Sequence, residues 1–254
     1  MKILATNDDG IDAPGLRALA VALREVGEVV VVAPDHNWSA AGLTKTMHKP
    51  LRIGKVRFPD GSTAYTTNGA PSDCVALALL GILPQPPDLV VSGINLGANM
   101  ANDILYSGTV AAAMEGVISG IASLAVSLDT LGEEADFTYA AQFTARLVRQ
   151  MGERGLPLGI LLNLNVPYLP PSEIAGVEIT RLGRRLYKDA LVERRDPRGR
   201  SYYWIGGERP GGVAEEGTDI WALANKRISI TPLQLDMTDH SLIAELKKWE
   251  IKTK

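Results

Sequence analysis

Met1-Lys2-Ile3-Leu4-Ala5-Thr6-Asn7-Asp8-Asp9-Gly10 opens the chain, and its change from apolar to turn-forming residues decides the fold. Ile3-Leu4-Ala5 is a short apolar run that stops at a turn-rich tetrapeptide. The stretch 14–26 then carries apolar residues at helical spacing, with Pro14 at its start and Gly27 just past its end, as expected of the two ends of a helix. Glu28-Val29-Val30-Val31-Val32-Ala33 is β-branched without alternation, which suits a parallel strand covered on both faces. Strand, loop, helix and strand make a βαβ unit. The same pattern places further strands at 89–91, 124–126 and 160–162, separated by helices at 72–80, 110–119 and 137–151. The expected architecture is α/β: a doubly wound, mostly parallel, Rossmann-like sheet with helices on both faces.

A hairpin interrupts this order, since 51–58 and 62–67 flank a Pro59-Asp60-Gly61 turn, and it is expected as an excursion beside the sheet. After Pro167 the segment Tyr168-Leu169-Pro170-Pro171 is a stiff connector, and strand-helix alternation weakens. The organisation expected is a catalytic core over 1–167 and a C-terminal arm over 168–254 within one domain. In the arm, 181–200 holds eight basic residues against three acidic ones, so this stretch is +5 while the whole chain is −3. Such mixed runs are usually solvated faces or salt-bridged subunit surfaces, and nucleic-acid contact is the weaker expectation. Gly206-Gly207 and Gly211-Gly212, with Pro210 between them, mark a tight loop or a lid. A strand at 228–230 and a short amphipathic helix at 241–249, capped by Asp239, close the chain.

A chain of 254 residues with 46% apolar residues has material for a core of useful depth, and disorder of the whole is excluded. Cys74 is the only cysteine, which rules out an intramolecular disulfide and a cysteine-based zinc cluster within one chain. The opening runs straight into Asn7-Asp8-Asp9 without the apolar region of a signal peptide, and no window approaches about 18 uninterrupted apolar residues. A cytoplasmic protein without a membrane partner is the expectation.

In an open parallel sheet, ligands bind beyond the carboxyl ends of the strands. Asp8 and Asp9 lie at such an end, and adjacent carboxylates repel unless a cation or hydrogen-bond donors compensate them. By itself Asp-Asp-Gly is also ordinary turn chemistry. The second strand leads into Asp35-His36-Asn37-Trp38-Ser39, where Ser39 is a candidate ligand or a plain cap. The third leads into Ser92-Gly93-Ile94-Asn95-Leu96-Gly97-Ala98-Asn99, whose glycines admit close approach and whose asparagines offer neutral contacts. Tyr106-Ser107-Gly108-Thr109 precedes the helix from Val110, leaving the amides of Gly108, Thr109 and Val110 as expected unpaired donors for a phosphate. Four loops thus agree on one rim.

Thr6-Asn7-Asp8-Asp9-Gly10, Ala33-Pro34-Asp35 with Ser39, Ser92-Gly93-Ile94-Asn95 with Gly97 and Asn99, and Ser107-Gly108-Thr109-Val110 resemble the survival protein SurE family in order and spacing. So do Asn163-Leu164-Asn165-Val166-Pro167 and Ile228-Ser229-Ile230-Thr231-Pro232. The family consists of metal-dependent acid phosphatases acting on nucleoside monophosphates. The resemblance implies that Asp8, Asp9, Ser39 and Asn95 hold a metal, and that Asn99, Ser107, Gly108 and Thr109 lie against the phosphate. It implies dimers and tetramers formed through the arm, and it includes the spacing of Asp236 and His240. His36 and Trp38 stand where the family varies.

The chemistry expected is hydrolysis of nucleoside 5′-monophosphates by a 5′-nucleotidase, with 3′-nucleotides and polyphosphate as further candidates. One Mg²⁺ or Mn²⁺ per chain suits oxygen ligands, whereas His36, His48 and His240 lack zinc-site spacing. Asp8 or Asp9 is expected to take a proton from the attacking water, and a phospho-aspartate route stays open. Trp38, Tyr65 and Tyr106 are candidates for stacking on a base. The main competing reading is a non-catalytic, metal-dependent nucleotide-sensing module. A dinucleotide-dependent oxidoreductase is set aside because no Gly-x-Gly-x-x-Gly opens the first helix.

Overall fold

The computed structural model describes residues 1–132, 134–155, 159–187, 189–207 and 211–251; Lys188 of the basic stretch and Pro210 of the glycine-rich loop lie outside these residues. β1 (Lys2–Thr6), α1 (Pro14–Leu23) and β2 (Glu28–Pro34) form the βαβ opening, with Ile3 opposite Val29 and Leu4 opposite Val30 in a parallel pair. Successive residues of a strand point to opposite faces. Ile3 and Ala5 accordingly pack with Leu16, Leu19 and Leu23 of α1, while Leu4 packs with Val32, Cys74 and Val75 on the other side. Both faces of these strands are covered, so neither tolerates the polar alternation of a half-exposed strand.

The chain continues through β3 (Ile53–Arg57), β4 (Thr63–Thr67), α2 (Pro71–Leu77), β5 (Leu89–Leu96), α3 (Gly108–Ile118), β6 (Ala122–Asp129), α4 (Thr138–Arg154) and β7 (Ile160–Pro167). It then forms β8 (Val177–Ile179), β9 (Arg184–Leu186), β10 (Asp189–Arg195), β11 (Ser201–Gly207), β12 (Gly211–Val213), α5 (Asp219–Ala224), β13 (Ile228–Gln234) and α6 (His240–Leu246). The main sheet has the order β3-β4-β2-β1-β5-β6-β7-β13-β8, and its strands run parallel from β4 to β7. α1 and α4 cover one face; α2 and α3 cover the other. α3 lies so close to the sheet that a Cβ on Gly116 would stand 2.3 Å from Ser123 Oγ and 2.9 Å from Val90 Cγ2. Among the described residues, no helix is long and apolar enough to cross a membrane.

β2 and β5 flank β1, and the chain leaves β1 toward α1 on one face and β5 toward α3 on the other. The two connections diverge, opening a crevice at the carboxyl ends of β1 and β5. This topology puts the Asp8-Asp9 and Asn95–Asn99 loops side by side.

Three features differ from the sequence-based expectations. The β3–β4 hairpin is continuous with the sheet, because β4 pairs in parallel with β2 (Val32 opposite Tyr65, Ala33 opposite Thr66). Without it β2 would present an unpaired edge. Next, β5, β6 and β7 run well past the apolar cores of 89–91, 124–126 and 160–162, carrying Ser92, Asn95, Ser127, Asn163 and Asn165 inside the sheet. Finally, the C-terminal third returns to the core: β13 pairs antiparallel with β7, and Ile228 and Ile230 join the cluster under α1 and α4. α6 begins on the expected cap, with Asp239 accepting from the amides of Ser241 and Leu242 at 3.0 Å each. β10 and β11 pair with each other, apart from the main sheet, and leave Leu191, Tyr203, Trp204 and Ile205 exposed.

Candidate active site

The turn after β1 is closed by its own first side chain. Asn7 Nδ2 donates to the Gly10 carbonyl at 3.0 Å, and the Gly10 amide donates to Asn7 Oδ1 at 3.3 Å. This local closure turns the Asp8 side chain into the protein, where it is only 3% exposed. Its Oδ1 accepts from the Thr109 hydroxyl, and the amides of Gly108 and Thr109 also serve the carboxylate. Residue 108 must be glycine, since a Cβ there would lie 2.7 Å from Asp8 Cβ. Ser107 is the N-cap of α3, its Oγ accepting from the Val110 amide at 3.1 Å.

The amides expected to stand unpaired for a phosphate therefore have partners in the chain itself. Asp8 takes those of Gly108 and Thr109, and Ser107 takes that of Val110. The physical reason is that a carboxylate is as good an anion for a positive helix end as a phosphate is.

Asp9 is partly buried; the Leu96 amide donates to its carboxylate, and Asn37 Nδ2 lies 3.3 Å from its Oδ1. Burial, followed by the charge of Asp8, pushes Asp9 up to about 6. Burial also raises Asp8, against the pull of the Thr109 hydroxyl and the neighbouring amides. Among the described residues, none of the Lys or Arg ion pairs involves either carboxylate. Neutral hydrogen-bond donors, and no cationic side chain among the described residues, therefore face the pair.

The other expected ligands stand nearby in the fold. Asn95 donates its Nδ2 to the Gly97 carbonyl at 2.7 Å, which turns its Oδ1 away as a neutral acceptor. Ser39 is exposed and bound to Asn37, its hydroxyl donating to Asn37 Oδ1 at 2.6 Å and its amide at 2.7 Å. Asn37 thus links Ser39 to Asp9, a part not expected from the sequence; the Asn-x-Ser turn chemistry was the available signal. The loop is tied to the first by the Trp38 amide, which donates to the Asp8 carbonyl at 2.8 Å. Asn99 is 8% exposed, and its Nδ2 donates to Ser127 Oγ at 2.8 Å. Among the described residues, no three of His, Cys, Asp and Glu gather as ligands. Two carboxylates with neutral oxygens fit a hard oxygen-seeking cation better than zinc.

Other candidates are dispersed. Tyr106 is 63% exposed beside Ser107, while Tyr65 lies over the cluster beneath α2. The Trp38 ring lies 5.1 Å from that of His36, with Lys49 Nζ 5.8 Å away. The basic stretch is divided: Arg181 pairs with Glu215 and Arg185 with Asp103, whereas Arg194 to Arg200 belong to the β10–β11 hairpin. Asp236 and His240 bond each other at 2.9 Å at the start of α6.

The raised Asp9 predicts a pH-dependent stability. Its folded value lies above that of an unfolded carboxyl, so the unfolded chain ionises first as pH rises. Stability is lost between about pH 4 and pH 6, and the loss is complete above that window. In chelator, Asp9→Asn should therefore stabilise the folded chain at about pH 7.5 by on the order of 2 kcal/mol, read as a higher thermal midpoint, and have little effect near pH 4. An equal or larger gain at the lower pH would contradict this account of the pair.

Comparison with known proteins agrees with the fold. A family model described as Survival protein SurE matches residues 3–189. A protein of Chloroflexus aggregans named 5′-nucleotidase SurE is 54% identical over 251 residues, covering 98% of this chain and 99% of its own. One from Moorella thermoacetica with the same name is 56% identical over 247 residues, covering 97% and 95%. The crystal structure of the SurE protein from Aquifex aeolicus superposes with a TM-score of 0.85 at 42% identity, covering 98% of this chain and 99% of that one. With the aspartate pair and the N-terminus of α3 inside the matched span, and relatives of that name more than 50% identical over nearly the whole chain, the chain belongs to the survival protein SurE family.

Proposed function

We propose that this chain is a metal-dependent phosphomonoesterase that hydrolyses nucleoside 5′-monophosphates to nucleoside and phosphate, with 3′-nucleotides and polyphosphate as further candidate substrates of the same site. The observation that carries this reading is the Asp8-Asp9 pair, buried at Asp8 and partly buried at Asp9, which lies at the carboxyl end of β1 without a Lys or Arg partner among the described residues. A pure anion-binding module would be better served by basic groups there. The 5′-nucleotidase names of the relatives point the same way.

Asp8, Asp9, Asn95 and Ser39 are the residues that would hold one Mg²⁺ or Mn²⁺. When bound, such an ion withdraws charge from phosphoryl oxygens and makes a water easier to deprotonate. The chain supplies the rest. Thr109 and the α3 amides hold the Asp8 carboxylate in one orientation at the base of the rim. Asp9, less enclosed and raised to about 6, is suited to take the proton of the attacking water near neutral pH. Asn99 is assigned to the phosphoryl group; Ser107, Gly108 and Thr109, whose polar groups already serve Asp8 and the helix cap, are assigned to it through the positive end of α3 that they share with Asp8 rather than as free donors, and Tyr106 to a base above the rim.

We assign self-association, as dimer or tetramer, to the C-terminal arm. The support is apolar exposure on the β10–β11 hairpin, where Leu191, Trp204 and Ile205 are 70%, 64% and 84% exposed. A cytoplasmic location accords with Cys74, which is buried and free.

Phosphate release from AMP, GMP and a chromogenic phosphomonoester, with Mg²⁺ or Mn²⁺ and with chelator, tests the activity. Release should require metal and fall by at least roughly 100-fold in Asp8→Asn. No release by the folded, metal-loaded chain would refute it in favour of nucleotide sensing. Separately, light scattering of the native chain should give a dimer or tetramer, and Trp204→Ser with Ile205→Ser should lower that mass; an unchanged mass would move the interface elsewhere.

A further inference from the structure

β6 and β7 end in polar residues that point into the protein. Ser127, Asn163 and Asn165 are fully buried, and all three converge on one residue of the neighbouring loop. Asn165 Oδ1 accepts from the Asn99 amide at 2.8 Å, and its Nδ2 donates to the Asn99 carbonyl at 2.9 Å. Asn163 Nδ2 donates to that same carbonyl at 2.9 Å. Ser127 Oγ accepts from the Asn99 side-chain Nδ2 at 2.8 Å. Two residues farther along, the Ala101 amide donates to the buried Asp219 at 2.8 Å, at a position where Ala101 holds φ +49.

We propose that Ser127, Asn163 and Asn165 form a buried positioning clamp that sets the Asn99 side chain for the transferred phosphoryl group, an inference that rests on the phosphatase reading above. Asn165 reads both backbone groups of Asn99, as a neighbouring strand would, and so fixes the peptide on each side of its Cα. Ser127 then takes one N–H of the Asn99 amide, leaving the second N–H and Oδ1 in a defined direction. A donor held in advance costs no reorganisation when charge develops on the substrate.

Burying polar side chains at these strand ends is unfavourable unless they are hydrogen-bonded. Asn163 Oδ1 has no partner among the described residues, so the sheet accepts an unpaired carbonyl while using the amide beside it. Apolar residues would extend the strands without that cost. The left-handed Ala101 adds a second sign, since such backbone persists only where its surroundings over-determine it. The clamp makes the geometry of this loop a property of β6 and β7 and of Asp219.

A double-mutant cycle in the full chain with Mn²⁺ separates positioning from simple structural support. Ser127→Ala should lower kcat for AMP roughly tenfold, about the effect of one hydrogen bond, with KM within about threefold. In the Asn99→Ala background the same substitution should change kcat by less than about twofold, because Ser127 acts only through the side chain already removed. An equal loss in both backgrounds, or no loss in the native one, would overturn the clamp. Amide hydrogen exchange gives a readout independent of turnover: Asn165→Ala should speed exchange at Asn99 at least roughly tenfold and leave the β6 amides unchanged. Unchanged exchange at Asn99 would also overturn it. If the native chain releases no phosphate, the phosphatase reading fails and exchange alone decides the clamp. Ser127→Ala, which loses one small hydroxyl, keeps the cycle available should Asn165→Ala fail to fold.

Discussion

The carboxylate of Asp8 rests on the N-terminus of α3, and the remaining parts of the rim are placed relative to that contact. The helix end supplies two amides and the Thr109 hydroxyl, enough to hold an anion out of water but not to neutralise it. Asp9 follows directly, cannot share the same donors, and is left with the Leu96 amide and the Asn37 side chain. The result is excess negative charge in a crevice that the strand order creates. Gly108 permits the contact, Asn7 aims the turn at it, and the Trp38 amide ties the next loop to the backbone of Asp8.

A second constraint runs through the strand ends. β5, β6 and β7 keep their hydrogen-bond ladders where the side chains turn from apolar to polar, and the register of β5 on β6 shifts between Ser92 and Asn95. That shift lets the loop after β5 bend over the crevice, where Ser127, Asn163, Asn165 and Asp219 take up its polar groups. The apolar sheet and the loop after β5 are therefore one structure: the same strands carry core residues at their middles and, at their carboxyl ends, the polar side chains that bond Asn99.

Much of this is legible in the chain. Val29 to Val32 and the apolar centres of the later strands mark the parallel sheet, and Asp8-Asp9, Asn95, Asn99 and Ser107 to Thr109 are visible because glycines and short polar residues follow each strand. What is not legible is pairing. Residue types at the start of α3 name it an anion site but do not say that the anion is the protein's own Asp8. A polar residue after an apolar run reads as the end of a strand, so the sequence places the end of β7 at Leu162; that Asn163 and Asn165 share a face, two residues apart, becomes meaningful only with Asn99 opposite them. The hairpin shows the same limit, because its turn is local information and its place beside β2 is not. The return of Ile228 and Ile230 to the core is likewise a long-range pairing with β7 that no local pattern after Pro167 encodes.

The central proposal is that a divalent cation neutralises the excess negative charge of Asp8 and Asp9, and calorimetric titration of Mn²⁺ into the metal-free chain tests it most directly. The account predicts one ion per chain, with affinity weakened by at least about 100-fold when both aspartates are replaced by asparagine, since hard cations depend on charged oxygen ligands. Binding of the same stoichiometry and affinity to the doubly substituted, folded chain would contradict it.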